Sequence, residues 1–270
     1  MERINWKLVL EKARYRLLKE ISTLGSGGAT GIFTAPPFKC PLCNGIGWVY
    51  HKEETMYING ALNPKFGQFY PCQCRKLDIE KKRRLALLDF CGLPVGANEL
   101  TFDTFDVDHE GFNPLELEQA RTAALAILTG ELKFLTLIGR VNSGKTHLAS
   151  ACCNEYITAN RAAKYTFVPN LLDDLRNSYD TDAVIGYHRL MARYCEVDLL
   201  VLDDLYRQRP TAWGSEKLMQ IIDTRHQNRK ATILTTNKSL EEIREVDPEQ
   251  GDAIVSRLKR ESWSKVVIIT

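Results

Sequence analysis

Hydrophobic and polar positions follow two regimes along this chain. Near the start, Trp6, Val9, Leu10, Ala13, Leu17, Ile21 and Leu24 recur at three- and four-residue steps. That spacing puts them on one face of an amphipathic helix. The stretch GSGGATG, Gly25 to Gly31, then interrupts the pattern with the composition of a flexible linker. A second helical stretch, RKLDIEKKRRLALLDF, leads into CGLPVG, and the glycines at Gly92 and Gly96 mark a domain boundary. Beyond it the pattern changes to short apolar runs at Phe134–Ile138, Tyr165–Val168, Leu199–Leu202, Thr232–Thr235 and Val266–Ile269. These runs lack polar alternation, as strands do when both faces are buried, and helical patterns separate them. The prediction is an α/β domain: a parallel sheet with helices on both faces.

Composition adds compartment and charge. A chain of 270 residues, 44% apolar and 26% charged, has room for one large domain or two small ones. No apolar run approaches the length of a membrane span, and the opening MERINWKLVLEK is too charged for a signal peptide. A cytoplasmic protein without a membrane partner is expected. In that reducing compartment clustered cysteines bind metal more often than they form disulfides. The net charge of +2 hides an asymmetry. Residues 1–92 hold 15 Lys+Arg against 8 Asp+Glu, or +7; residues 93–270 hold 21 against 26, or −5. Two domains with different partners are implied.

The candidate chemistry begins at LIGRVNSGKTHLAS, which contains the pattern G-x-x-x-x-G-K-T at Gly139, Gly144, Lys145 and Thr146. It sits between a strand-like and a helix-like segment, the setting of a phosphate-binding loop. There glycines let backbone N–H groups converge on phosphate oxygens, lysine reaches the β- and γ-phosphates, and the threonine hydroxyl coordinates Mg²⁺. Asn142, Ser143 and His147 are expected to complete the ATP cradle at the positive end of the following helix. VDLLVLDDL is a second site, a buried strand ending in two carboxylates: Asp203 for the Mg²⁺ shell and Asp204 to orient the attacking water. ATILTTN ends a further strand with Asn237, placed to touch the γ-phosphate or that water.

Together GRVNSGKTHLA, VPNLLDDLR, VDLLVLDDL, SEKLMQIIDTRHQNRKATILTTN and AIVSRL resemble the AAA+ ATPases of the DnaC/IstB kind, bacterial helicase loaders and transposition helpers. GLPVGANELTFDTF resembles the segment that enters their fold and lines the adenine pocket. The resemblance runs through residues 92–270. It implies a P-loop core with strand order 5-1-4-3-2, ATP with Mg²⁺, and rings or spirals that hold single-stranded DNA. It makes Arg257 the arginine that enters a neighbouring subunit's site, and Asn170 and Arg176 candidate DNA contacts, although Arg176 can instead pair with Asp173 on its own helix. The chain departs from the family after LDDL, where Tyr206, Arg207, Gln208 and Arg209 replace the usual Gly and acid. Asp204 reaches less far than the glutamate of most AAA+ proteins, so slow, partner-stimulated hydrolysis is expected. The sequence stops at Thr270 on the last strand, which predicts a core without a C-terminal lid or its arginine sensor.

CPLCNGIGW and PCQC supply Cys40, Cys43, Cys72 and Cys74, a set able to close a structural Zn²⁺ site. CPLCNGIG also resembles the zinc knuckles of J-type chaperones. His51 is a substitute ligand or a surface residue. Cys91, Cys152, Cys153 and Cys195 read as small buried hydrophobes. The basic run Arg75, Lys76, Lys81 to Arg84 spreads around every helix face, so a solvated helix and a DNA contact both remain open.

The expected organisation is therefore an amphipathic helix and linker in 1–31, a four-cysteine zinc module with a basic helix in 32–91, and an AAA+ ATPase in 92–270. A zinc module ahead of such a core resembles the DnaI variety of loader and favours a replicative helicase as partner. A transposition helper would use the same ATPase residues to serve a transposase. A small-molecule kinase would need a lid and acceptor residues in place of TTN and SRL, and a non-hydrolysing zinc adaptor would not need Lys145, Thr146 and Asp203.

Overall fold

In a computed structural model the described residues are 40, 42–43, 46–50, 57–58, 61–62, 69–179, 185–207, 209–259 and 262–270. The expected amphipathic helix and linker, His51 and Gln208 lie outside them. The chain divides into two compact units, one spanning Gly25–Ala86 and the other containing Leu87–Thr270.

The smaller unit is built from β1 (Trp48–Tyr50), β2 (Tyr57–Ile58), β3 (Ala61–Leu62), β4 (Phe69–Pro71) and most of α1 (Gln73–Cys91). β1 pairs antiparallel with β4 and β2 with β3. α1 is exposed on most of its surface, and its Lys82 pairs with Asp78 one turn back at 3.0 Å. From Leu87 the helix belongs to the larger unit, because Leu87, Leu88 and the fully buried Cys91 pack into that core. The change in composition at Gly92–Gly96 falls just after this last turn.

The larger unit follows the apolar runs. β5 (Phe134–Gly139), β6 (Ala163–Phe167), β7 (Leu199–Asp203), β8 (Ala231–Thr236) and β9 (Ser264–Ile269) form one sheet in the order β6-β7-β8-β5-β9. All its pairings are parallel. Counted from β5 as the first core strand, this is the order 5-1-4-3-2. α2 (Pro114–Thr129), α3 (Lys145–Thr158), α4 (Val168–Asn177), α5 (Tyr187–Glu196), α6 (Ala212–Gln227), α7 (Leu240–Val246) and α8 (Gly251–Lys259) cover it. No helix among the described residues is long and apolar enough to cross a membrane.

Alternate residues of each strand feed opposite cores, which is why the runs read as continuously apolar. Leu135 and Leu137 of β5 and Leu199 and Val201 of β7 join one cluster with α2 and α3. Phe134, Ile138, Leu200 and Leu202 join the other, with residues of α4 to α8. Cys152 and Cys153 are fully buried in the first cluster, and Cys195 is half-buried beside the second.

At the N-terminal edge of the sheet the second core contains a charge. Arg225 is fully buried. Its Nε donates to Thr232 Oγ1 at 2.9 Å, and Nη1 and Nη2 donate to the carbonyls of Tyr194, Cys195, Val197 and Ala231 at 2.6–3.1 Å. The guanidinium thus ties the C-terminal end of α5 to the start of β8, and burial pushes its pKa down to about 10. Arg225→Met should strand several buried carbonyls and cost about 3 kcal/mol or more of stability. Urea denaturation checks this, and an unchanged midpoint would show that the network contributes nothing.

Candidate functional site

Parallel strands deliver their C-terminal ends to one edge, where ligands bind in open α/β sheets. Here Gly139 ends β5, Asp203 ends β7, and Thr235 and Thr236 end β8. β5 turns through residues 140–144 into α3, with Asn142 at φ 67° and Gly144 at φ 80°. Gly144, at the N-cap, has no side chain to cap α3, so it leaves the first N–H groups of that helix uncapped. A Cβ at Gly139 would stand 2.6 Å from the Ile269 carbonyl oxygen, and one at Gly144 would stand 2.6 Å from Phe105 Cε2. Space therefore requires both glycines, and the left-handed φ requires Gly144 as well.

Lys145 bridges the loop. Its Nζ donates to the carbonyls of Gly139 at 2.8 Å and Arg140 at 2.7 Å, and to Ser143 Oγ at 3.2 Å. Burial pushes the ammonium below its ordinary pKa, against the pull of Asp204 and Asp203. Beside it Asp203, 9% exposed, accepts from the Tyr165 hydroxyl, from Thr235 Oγ1 at 2.5 Å and from Thr146 Oγ1 at 3.4 Å. Burial, reinforced by Asp203, raises the Tyr165 pKa and keeps that phenol a donor. The Thr146 hydroxyl and the Asp203 carboxylate present adjacent oxygens, a donor set suited to a hard divalent cation such as Mg²⁺.

The cleft above them has a volume of about 670 Å³. Asn142, Ser143, Gly144, Lys145, Thr146, His147, Asp204 and Asn237 line it, together with His109, Val141, Arg207 and Thr235. His147 also reaches the entering segment. Its Nε2 lies 2.8 Å from the Thr101 carbonyl and its ring meets Phe105 edge-on at 5.3 Å. Arg257 lies outside this cleft. Its Nε donates to Asp223 Oδ1 at 3.0 Å, in a pair about one-third exposed on α6 and α8. On α4, Asn170 is exposed and Arg176 stands 3.9 Å from Asp173, with its guanidinium over the Trp213 ring.

Four residues of the site escaped the sequence reading. Tyr165 and Thr235 hold Asp203, and each was hidden inside an apolar run where a hydroxyl carries no pattern. His109 stacks on Phe112, which Arg140 covers on a 4.6 Å cation–π contact; no motif marks it. Arg207 had a signal in the departure after LDDL. Its Nη1 lies 3.1 Å from Asp204 Oδ2.

In the smaller unit the pairing of β1 with β4 brings the two cysteine pairs together. The four Sγ atoms lie within 4.8 Å of one another, with Cys40–Cys72 at 3.7 Å and Cys43–Cys74 at 3.5 Å. Gly47 N donates to Cys43 Sγ at 3.2 Å. N–H groups of Cys43 and Leu42 pull the Cys40 thiol down to about 7, while burial and the other sulfurs push Cys74 up to about 12.

The Gly144 geometry makes a direct prediction. Gly144→Ala combines a left-handed φ with a clash on Phe105, so it should cost about 1–2 kcal/mol and lower Tm by roughly 2–8 °C. Thermal unfolding followed by circular dichroism measures it; an equal or higher Tm would contradict the contact.

Comparison with known proteins bears on the fold and the family. Uncharacterized protein YdaV of Escherichia coli K12 is 30% identical over 186 residues, covering 69% of this chain and 70% of that one. The replicative helicase loader DnaC of the same strain is 24% identical over 159 residues, and the match spans 62% of its length. Among solved structures, DnaI covers 66% of this chain with a TM-score of 0.54 at 21% identity, and 95% of that structure is matched. The core is thus an AAA+ P-loop ATPase fold. The model of the IstB-like ATP binding protein family matches residues 81–269, and the chain belongs to that family.

Proposed function

We propose that this protein is an ATP-hydrolysing switch that loads a replicative helicase, working as a ring or spiral of its own copies on single-stranded DNA. The observation that carries the reading is the convergence of Lys145, Thr146 and Asp203 beneath one cleft rimmed by Asp204 and Asn237. In this reading Lys145 neutralises the β- and γ-phosphates, and backbone N–H groups of residues 142–146 hold their oxygens. Thr146 and Asp203 hold Mg²⁺, which offsets the charge of the phosphates. Asp204 orients the attacking water and Asn237 touches the γ-phosphate. Arg257, set on the surface by Asp223, completes a neighbour's site. Asn170 and Arg176 are the DNA-facing candidates. Helicase loading is supported by the relative named as a loader and by the separate cysteine unit, which offers a partner surface of its own.

Zn²⁺ fits that unit. Four Zn–S bonds of about 2.3 Å in a tetrahedron set sulfurs about 3.8 Å apart, close to the spacing of Cys40, Cys43, Cys72 and Cys74. Four such thiols resist joint ionisation, and a divalent cation removes that penalty. The second reading, a transposition helper, is favoured by the IstB-like family match itself. The ATPase residues are common to both, so the first 91 residues decide the partner.

The experiment for the partner is co-purification with the full chain as bait. A replicative helicase retained in an ATP-dependent way supports loading, and a transposase retained instead supports the second reading. For the switch, Lys145→Ala should abolish nucleotide binding, whereas Asp204→Asn should keep ATP bound and stop turnover. Arg257→Ala should bind ATP normally but hydrolyse it about a thousandfold more slowly, and mixing it with Lys145→Ala protein should restore part of the rate. Full-rate hydrolysis by Arg257→Ala would leave that arginine without a role in trans. Elemental analysis should find one Zn²⁺ per chain, lost with the fold of the smaller unit on chelation. A folded, metal-free unit would exclude a structural zinc.

A further inference from the structure

Arg207 occupies a position that the ATPase reading leaves without a task. It lines the same cleft as Lys145, Thr146 and Asn237, and its Nη1 lies 3.1 Å from Asp204 Oδ2. That carboxylate is the one assigned to the attacking water. The guanidinium also lies over the Phe167 ring at 5.4 Å, so its arm rests on an apolar face at the end of β6. Arg207 is 61% exposed on its side chain and Asp204 22%. An ion pair with one partner this open to water is weak and exchanges readily.

The backbone around the pair is fixed. Asp204 and Tyr206 both adopt φ 60°, a conformation non-glycine residues hold only when their surroundings impose it. Asp204 N donates to Thr235 Oγ1 at 2.9 Å, Leu205 N to the Thr235 carbonyl at 2.8 Å, and the Tyr206 hydroxyl to Asp247 Oδ2 at 2.8 Å. The turn thus sets Arg207 at the rim of the cleft.

We infer that Arg207 reads the third phosphate of a nucleotide in its own subunit: it leaves Asp204 for the terminal phosphate of ATP and stays on Asp204 when ADP is bound. This rests on the reading of the cleft as an ATP site. A terminal phosphate offers a guanidinium two oxygens and more than one negative charge, and so outcompetes a single carboxylate whose arginine partner is open to water. The exchange leaves Asp204 unpaired to hold the water only when there is a γ-phosphate to attack. No bond is made or broken in the exchange. The arginine so placed acts in cis, separately from Arg257 on α8.

Calorimetric titration of the full chain with Mg²⁺–ADP and with a Mg²⁺-bound non-hydrolysable ATP analogue tests this without turnover. Arg207→Ala should weaken the triphosphate by about tenfold and leave ADP affinity unchanged, with Arg207→Lys in between. Asp204→Asn, which removes the competing carboxylate, should bind the triphosphate several-fold tighter than the unaltered chain. That gain should vanish in the Asp204→Asn/Arg207→Ala double variant. Circular dichroism of each variant confirms its fold, and Asp204→Asn carries the test if Arg207→Ala is unstable. An unchanged ratio of triphosphate to ADP affinity in Arg207→Ala, or equal triphosphate affinity with and without the Asp204 charge, would overturn the inference. Failure of the unaltered chain to bind either nucleotide would overturn the ATP site itself, a result distinct from both.

Discussion

The buried carboxylate of Asp203 is the constraint on which the site depends. A charge at 9% exposure is costly unless donors surround it. Hydroxyls from three other elements supply them: Tyr165 from β6, Thr235 from β8 and Thr146 from α3. Meeting one carboxylate's demand therefore fixes the helix that follows the phosphate loop against three adjacent strands. It also leaves Thr146 and Asp203 with neighbouring oxygens, the arrangement a Mg²⁺ ion requires. Packing of the two cores on either face of the sheet sets the strands; Asp203 sets what happens at their ends.

Thr235 extends that constraint to the next residue. Its Oγ1 donates to Asp203 and accepts from Asp204 N, while its carbonyl accepts from Leu205 N. The chain after β7 is thereby held through two left-handed residues, Asp204 and Tyr206, at a cost of about 1–3 kcal/mol each. That strain aims two adjacent carboxylates differently: Asp203 down into its hydroxyl shell and Asp204 out to the cleft and Arg207. One threonine thus holds both acidic residues, through the carboxylate of Asp203 and the backbone N–H of Asp204.

Much of this was legible in the sequence because it is written in spacing. The five apolar runs mark the five strands to within one or two residues at most ends, since strands buried on both faces must be apolar throughout. Residues 139–146 were legible because a loop this close to Ile269 and Phe105 admits only glycine at two positions. Cys152 and Cys153 were readable as core for the same reason that the strands were. The strands of the smaller unit, two or three residues long, give no periodicity to detect. Tyr165 and Thr235 were invisible because their contacts to Asp203 join residues far apart in sequence. Arg225 was likewise unreadable: an arginine near the end of a helix looks solvated until the buried acceptors around it are found.

The central claim is that the Asp203-anchored cleft takes a Mg²⁺-bound nucleotide. Calorimetric titration of ATP into the unaltered chain, once with Mg²⁺ and once with excess EDTA, tests it most directly. The account predicts one site per chain and an affinity at least tenfold weaker without the metal, because Asp203 then faces the phosphates uncompensated. Binding of equal strength in both titrations, or no binding in either, would contradict it.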